Sequence, residues 1–143
     1  MRKKHVEISF VTLALIIIIL AISFLPFGKC QNCDIEETNL KIINVKDWLD
    51  LSRSEGVIFL DIRTQEEFEK FHLDGAINLD FYNESYREDL DKLDKSRTYL
   101  TYCRSGRRSG LNLEIMKELG LKSAYDLDGG ILAYNKFIDN QKP

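Results

Sequence analysis

The sequence predicts an α/β protein with a mainly parallel five-stranded sheet covered by helices on both faces, preceded by one N-terminal transmembrane helix. Two observations carry this prediction: five short apolar or β-branched segments alternate with helical patterns after residue 40, and an uncharged run fills residues 8–28. The 143 residues, 44% of them hydrophobic, allow one folded domain. The balance of 20 basic against 23 acidic residues excludes a generally basic nucleic-acid-binding protein.

The uncharged run at residues 8–28 would extend about 31 Å as a helix, which is enough to cross a bilayer. Basic residues at positions 2–4 precede it, so residues 1–7 are predicted to form a cytoplasmic tail and the remainder to lie outside. The alternative is a signal peptide cleaved after Ser23, which would give a secreted protein. A buried core helix fits least, because a helix apolar on every face needs a larger protein around it.

The residues from 29 to 39 are polar and predict a tether, and the folded domain is predicted over residues 40–143. Strand patterns lie at residues 41–43, 57–60, 76–79, 98–102 and 123–127. Helical patterns lie at residues 44–51, 64–71, 86–93, about 109–119 and 131–138. Because strands alternate with helices, the sheet should be mainly parallel, and ligands bind such sheets at the carboxyl ends of the strands.

Cap and turn residues mark the ends of these elements. Asn44 is an N-cap residue, and Thr64 with Glu67 makes a capping box at the start of the second helix. The aromatic and β-branched segment at 98–102 is typical of a central strand. Gly120 ends the fourth helix, and a glycine pair at 129–130 predicts a tight turn before the last helix.

Cys103 lies directly after the predicted central strand, where a reactive group is expected. No acidic residue occurs between Asp94 and Glu114, although five basic residues do. A helix N-terminus and adjacent arginines lower a thiol pKa from about 8.5, so the thiolate should be populated near neutral pH. Small residues after the cysteine would let the backbone N–H groups of residues 105–108 point at the sulfur. The alternative is a buried structural cysteine.

Four linked segments surround this region: FLDIRTQEEF at 59–68, FHLDGAIN at 71–78, YCRSGRRS at 102–109 and LDGGILAY at 127–134. Together these segments resemble the rhodanese-like sulfurtransferases. They occur in the family's order and cover about residues 42–138. Phe71 and Asp74 stand where the family usually has glycine and proline, and Tyr134 stands where it has tryptophan.

The resemblance implies transfer of sulfane sulfur from thiosulfate or a related persulfide donor to cyanide or a thiol, including a thiol of a partner protein. Cys103 would be the nucleophile that carries the sulfur as a persulfide, and no metal or cofactor is implied. Donor binding and persulfide stabilisation fall to the side chains and backbone of the loop: Arg104, Ser105, Gly106, Arg107 and Arg108. Asp61 and Arg63 are expected to support neighbouring loops through charge-assisted hydrogen bonds, with a second role of Arg63 in lining the pocket as the alternative.

Two alternatives to a sulfurtransferase that turns over remain. One is a module that carries sulfur or binds a redox partner without efficient turnover. The other is a phosphatase or arsenate reductase, but those relatives carry a Cys-x5-Arg loop, whereas Cys103 and Arg108 give the shorter Cys-x4-Arg spacing. Cys30 and Cys33 on the tether would form a strained disulfide or act as a dithiol.

Overall fold

The computed structural model describes residues 38–142. The predicted cytoplasmic tail, the anchor at residues 8–28, most of the tether and its two cysteines lie outside the described residues. Between residues 38 and 142 no helix is both long enough and apolar enough to cross a membrane. The anchor and the outward-facing location therefore stay predictions.

Five parallel strands form one sheet in the order β1-β5-β4-β2-β3. The strands are β1 Asn39–Ile43, β2 Val57–Asp61, β3 Ile77–Asn78, β4 Thr98–Tyr102 and β5 Ser123–Leu127. The helices are α1 Val45–Ser52, α2 Gln65–Lys70, α3 Tyr86–Asp91, α4 Arg107–Glu118 and α5 Gly130–Asp139. The predicted α/β class is confirmed, and β4 is the central strand, as expected.

The predicted N-caps begin two of the helices. The Asn44 side chain accepts the Asp47 N–H at 3.0 Å at the start of α1. At α2, the Glu67 N–H donates to the Thr64 hydroxyl at 3.3 Å and the Thr64 N–H donates to Glu67 Oε2 at 3.2 Å. This capping box satisfies N–H groups that the first helical turn leaves without partners, so the local sequence defines where α2 starts.

The core consists of two apolar clusters on opposite faces of the sheet, because side chains alternate along each strand. Tyr99 and Cys103 belong to the cluster that α3 and α4 cover, together with Leu60, Leu90 and Met116. Leu100 and Tyr102 belong to the cluster on the other face, which includes Trp48 from α1 and Ile131 from α5. The helices on both faces leave the carboxyl ends of the strands as the place where loops meet.

Two elements differ from the sequence prediction. Helix α4 begins at Arg107 rather than near residue 109, because Gly106 adopts a left-handed conformation with φ +85° and turns the chain directly into the helix. Strand β1 begins at Asn39, inside the predicted tether, because it pairs with β5 along its whole length. The first of these differences shapes the site.

Candidate active site

Cys103 follows the last residue of the central strand β4 and lies beneath the start of α4. Its side chain is only 1% exposed and packs with the apolar cluster of the α4 face. The sulfur nevertheless has a polar partner, since the Gly106 N–H donates to Cys103 Sγ at 3.2 Å. The cysteine is therefore more buried than the sequence suggested, and it faces a backbone donor.

The loop from residue 104 to 109 curves around this sulfur, and we call its hydrogen-bond donors the ring. Gly106 has a left-handed backbone conformation that residues with a side chain rarely adopt, and this conformation turns the chain into α4. The N–H groups in the first turn of α4 have no acceptors within the helix. The Gly106 N–H donates directly to the sulfur, and hydrogen bonding by the backbone N–H groups of Ser105, Arg108 and Ser109 and by the Ser109 hydroxyl lowers the pKa of the thiol. Such a ring stabilises an anion or an anionic sulfur.

Opposing effects act on the thiol of Cys103. Burial raises its pKa, but the hydrogen bonds from the Ser109 hydroxyl and from the backbone N–H groups lower the pKa by more, so it lies below its ordinary value. Since burial alone would leave an inert thiol, the ring of donors is what favours the thiolate.

The turn at Gly129 and Gly130 brings the N-terminus of α5 into hydrogen-bonding contact with the backbone of the cysteine loop. The Ile131 N–H donates to the Cys103 carbonyl at 2.9 Å, and the Leu132 N–H donates to the Arg104 carbonyl at 3.2 Å. A Cβ on Gly130 would lie 2.5 Å from the Cys103 carbonyl oxygen. The glycine pair is thus required so that the N-terminus of α5 can approach the backbone of the loop.

The three arginines of the loop have different surroundings. Arg108 is mostly buried, forms an ion pair with Glu67 at 2.8 Å and places its guanidinium 5.5 Å from the centre of the Tyr82 ring. Burial raises the pKa of Glu67, but hydrogen bonds from Arg108 and from the Thr64 backbone lower it by more, so Glu67 is ionised. Arg104 and Arg107 are exposed, and within residues 38–142 neither forms an ion pair.

These arginines border an open cleft of about 430 Å³. Its lining residues are Thr64, Glu67, Tyr82, Arg104, Ser105, Arg107 and Arg108. Cys103 does not line the cleft, because the ring covers its sulfur. A small anion can therefore be held at the arginines outside the ring, next to the thiol.

The comparisons with known proteins agree with this geometry. A family model described as the rhodanese-like domain matches residues 44–137. The chain belongs to the rhodanese-like domain family. It is 37% identical over 92 residues to the probable adenylyltransferase/sulfurtransferase MoeZ of Mycobacterium tuberculosis, with 64% of this chain and 23% of that protein covered.

Two further relatives extend the comparison. This rhodanese-like chain is 30% identical over 117 residues to the tRNA uridine(34) hydroxylase of Chlamydia felis, with 77% of this chain and 36% of that protein covered. The chain thus spans about a quarter to a third of the length of these relatives. A crystal structure of a rhodanese-related protein from Thermoplasma volcanium aligns with a TM-score of 0.58 and 26% identity, covering 72% of this chain and 95% of that chain.

Asp61 and Arg63 of the rhodanese-like domain form a buried ion pair at the end of β2. The Arg63 guanidinium donates to both oxygens of the buried Asp61 carboxylate, at 2.5 to 3.0 Å, and to the Phe71 carbonyl at 2.6 Å. His72 stacks on Phe68 and its Nδ1 lies 2.9 Å from the Phe68 carbonyl oxygen. Neither Asp61 nor Arg63 lines the cleft, so the alternative that Arg63 lines the pocket is not met at this cleft. Their supporting role stays a prediction.

Sequence reasoning missed several residues of the site. Thr64 and Glu67 were assigned only to a helix cap, although Glu67 also pairs with Arg108. Tyr82 was not identified, and neither Ser109 nor Asp126, which are both buried, was identified as a site residue. A hydrophilic residue inside a predicted buried strand, such as Asp126, is the one signal that could have indicated a further role. Within residues 38–142 no group of three or more His, Cys, Asp or Glu side chains could bind a metal ion.

Proposed function

We propose that this rhodanese-like protein transfers sulfane sulfur from thiosulfate, or a related persulfide donor, to cyanide or a thiol through a persulfide on Cys103. The observation that carries the proposal is the ring of donors around a buried sulfur. A buried thiol without such donors would be a poor nucleophile, whereas the backbone N–H groups and the Ser109 hydroxyl keep the pKa of Cys103 low.

The reaction consists of two displacements at sulfur. The Cys103 thiolate attacks the outer sulfur of thiosulfate, the sulfur–sulfur bond of the donor breaks, and sulfite leaves with the bonding electron pair. Cyanide or a thiolate then attacks the outer sulfur of the Cys103 persulfide and regenerates the thiolate. The N–H groups of the ring stabilise the negative charge on the cysteine sulfur before and after transfer.

The arginines divide the work of binding the donor. Arg104 and Arg107 have no ion-pair partner within the described residues and would attract a dianion to the cleft. Arg108 is already paired with Glu67, so part of its charge is neutralised, and its fixed position next to the ring suits it to orient the donor. The assignment of Arg104, Arg107 and Arg108 as anion-binding residues is part of the proposal.

The size of the ring favours sulfur over phosphate. Arg108 follows Cys103 after four residues, and Gly106 already donates to the sulfur at 3.2 Å, so the ring closes around a single atom. A tetrahedral oxyanion needs the longer Cys-x5-Arg loop of the phosphatase and arsenate reductase relatives. These observations support sulfur transfer over phosphoryl or arsenyl chemistry.

A sulfur carrier without efficient turnover is the second candidate. The rhodanese-like region matches only part of larger relatives, and one of these is named a hydroxylase rather than a sulfurtransferase. In such a protein the domain would pass its persulfide to a partner or to another domain. The carrier and the enzyme share the persulfide and differ in the rate of its release.

Thiocyanate formation by the purified full chain, supplied with thiosulfate and cyanide, tests the proposal. Cys103→Ser should abolish turnover, because the hydroxyl of serine is neither ionised nor a good sulfur nucleophile. The matched control is the double variant Cys30→Ser/Cys33→Ser, which keeps Cys103 and should turn over at the wild-type rate. Turnover that survives in Cys103→Ser would overturn the assignment of the nucleophile.

Mass spectrometry after thiosulfate treatment separates the candidates. One added sulfur on Cys103, removed rapidly by cyanide, indicates the enzyme. The same adduct removed slowly by cyanide indicates the carrier. No adduct, together with hydrolysis of an aryl phosphate that Cys103→Ser abolishes, would indicate the phosphatase instead.

We further propose that the domain is anchored in a membrane and faces away from the cytoplasm, with secretion after signal cleavage as the alternative. The uncharged run at residues 8–28 and the basic residues before it support this orientation. Extraction of membranes with alkaline carbonate, combined with the mass of the mature N-terminus, tests both versions. A full-length chain recovered in the soluble fraction would contradict them.

A further inference from the structure

Tyr82 is an exposed aromatic residue that the proposed sulfur transfer does not use. It is 66% exposed, the highest value among the exposed large apolar residues of the described chain. Of that group it alone, within residues 38–142, lines the cleft beside the cysteine loop. A lone apolar residue in solvent is ordinary, but a ring that forms one wall of the candidate site lies where a substrate can contact it.

The position of the Tyr82 ring is defined by its neighbours although the ring is exposed. The Tyr82 N–H donates to Asp80 Oδ1 at 2.9 Å in the turn after β3. The Phe81 ring contacts the Tyr82 ring edge-on, with the ring centres 5.7 Å apart, and the Arg108 guanidinium lies 5.5 Å from the Tyr82 ring centre. Because these contacts order the ring in advance, little conformational freedom is lost when a ligand packs on it.

A role in holding Arg108 does not account for this ring. Arg108 already forms an ion pair with Glu67 at 2.8 Å, and a ring that only covered Arg108 would not need to remain largely in solvent. Arg104 and Arg107 line the same cleft and form no ion pair within the described residues. The cleft therefore combines one aromatic wall with positive charges that the protein does not neutralise.

The cleft is also larger than the small substrates of the proposed reaction require. Its volume of about 430 Å³ falls in the range of roughly 300–1,000 Å³ that is typical of pockets for larger organic ligands. Thiosulfate is a small dianion without an apolar part, and cyanide is smaller still. Neither uses the aromatic wall, so the remaining space suits an acceptor with an organic group.

We propose that Tyr82 is a specificity-determining residue for the sulfur acceptor, and that the preferred acceptor is a thiol with both an anionic group and a flat apolar group. Arg104 and Arg107 bind the anionic group, and the flat group packs against the Tyr82 ring. The acceptor thiolate attacks the outer sulfur of the Cys103 persulfide and forms an organic persulfide. The bond from Cys103 to that sulfur breaks and leaves its electron pair on the cysteine. This inference rests on the proposed function, whose acceptor class it names.

The test isolates the acceptor half-reaction in the full chain carrying Cys30→Ser and Cys33→Ser. Thiosulfate first loads Cys103, the excess donor is removed, and mass spectrometry follows loss of the added sulfur after mixing with a thiol. The two thiols are para-mercaptobenzoate, which has the ring and the charge, and mercaptoacetate, which has the charge alone. Tyr82→Ala should lower the second-order rate constant about tenfold for para-mercaptobenzoate and leave it unchanged for mercaptoacetate. Each thiol is compared with itself, so differences in intrinsic reactivity cancel.

Three further measurements assign the effect to the ring and to the charge. Tyr82→Phe keeps the ring and should react at the wild-type rate with both thiols. Phe71→Ala removes an exposed ring that does not line the cleft, and as the matched control it should also leave both rates unchanged. Arg104→Gln should slow para-mercaptobenzoate but not para-aminothiophenol, which has the ring without the negative charge.

Equal slowing of both thiols in Tyr82→Ala would show that the ring only supports Arg108 and would overturn the inference, as would an unchanged rate with para-mercaptobenzoate. NMR titration of the unloaded chain with benzenesulfonate and with methanesulfonate gives a readout that needs no sulfur transfer. Wild type should bind benzenesulfonate more tightly and Tyr82→Ala should lose this preference, whereas equal binding by wild type would overturn the inference. The expected preference in a chain that forms no persulfide would refute the proposed function and leave the aromatic-anion specificity of the cleft standing.

Discussion

Two neighbouring parallel strands end in charged loops, and only one of the loops is arranged for chemistry. At the end of β2, the Arg63 guanidinium donates hydrogen bonds to the Asp61 carboxylate and to the Phe71 carbonyl. Both acceptors belong to the protein itself. At the end of β4, Arg104 and Arg107 are exposed and the donors around Cys103 converge on a single sulfur. Both loops carry arginines next to a buried group, so charge alone does not distinguish them.

What distinguishes the two strand ends is where their hydrogen-bond donors point. A buried pair whose donors and acceptors satisfy each other stabilises a loop and has nothing left for a substrate. Donors that surround one ionisable atom change the pKa of that atom instead. The difference gives separate predictions for stability at β2 and for reactivity at β4.

The largest effect is expected from Arg63→Met. The change leaves the Asp61 carboxylate buried without its cation, which should lower the free energy of unfolding by about 3–5 kcal/mol. The measurement is urea unfolding followed by tryptophan fluorescence, for which Trp48 is the only tryptophan. The thiol pKa of Cys103 should not change.

The matched variant is Asp61→Asn/Arg63→Met. The side-chain oxygen of Asn can still accept the backbone N–H of residue 63, which lies 2.9 Å from Asp61 Oδ1 in the wild type. Because Asn carries no charge, much of the lost stability should return. Equal destabilisation in the single and double variants, or a raised thiol pKa in either, would show that the pair does more than support its loop.

The second effect concerns the pH dependence of stability. The pKa of Asp126 is raised by burial from 3.8 to about 7 in the folded chain, so the folded state holds a proton that the unfolded state releases. The stabilisation is complete below pH 3.8 and disappears as the pH rises through 7. Over that interval, wild type should lose up to about 1.4 kcal/mol per pH unit relative to Asp126→Asn.

Urea unfolding of both chains across this pH range measures the difference. Asp74→Asn controls for removal of an acid as such and should run parallel to wild type, because Asp74 is exposed and is not among the groups that shift the pKa of Asp126. Parallel curves for wild type and Asp126→Asn would show that Asp126 ionises as readily in the folded chain as in the unfolded one.

Most of the architecture could be predicted from the sequence because local signals agree with tertiary packing. The capping box of Thr64 and Glu67 and the aromatic strand at 98–102 are both realised where the pattern placed them. Each is decided by groups a few residues apart or by a pattern of burial. The start of α4 was placed too late, because the turn at Gly106 depends on a backbone conformation that a residue pattern does not reveal.

The site was less predictable because its contacts join distant segments. Cys103 could be singled out by its position after a central strand and by nearby arginines. The ion pair of Arg108 with Glu67 could not, since it links α4 to α2. The capping box already explains a glutamate at position 67, so the sequence offers no reason to expect an ion pair with Arg108.

The smallest expected effect separates the exposed arginines of the cleft from other surface arginines. Arg104→Gln removes a cation that has no partner within the described residues, so it should lower kcat/KM for thiosulfate about tenfold, a loss of about 1.4 kcal/mol. Arg53→Gln removes an equally exposed arginine, paired with Asp50 on α1, and should leave kcat/KM unchanged.

The split between the two kinetic constants decides the role of Arg104. If the side chain only attracts the donor, KM should rise, kcat should stay near the wild-type value, and the loss should shrink at high salt because exposed charges are screened. The thiol pKa of Cys103 should stay the same, since Arg104 lines the cleft and is not among the groups that shift this pKa. A fall in kcat with an unchanged KM would instead place Arg104 against the transferring sulfur.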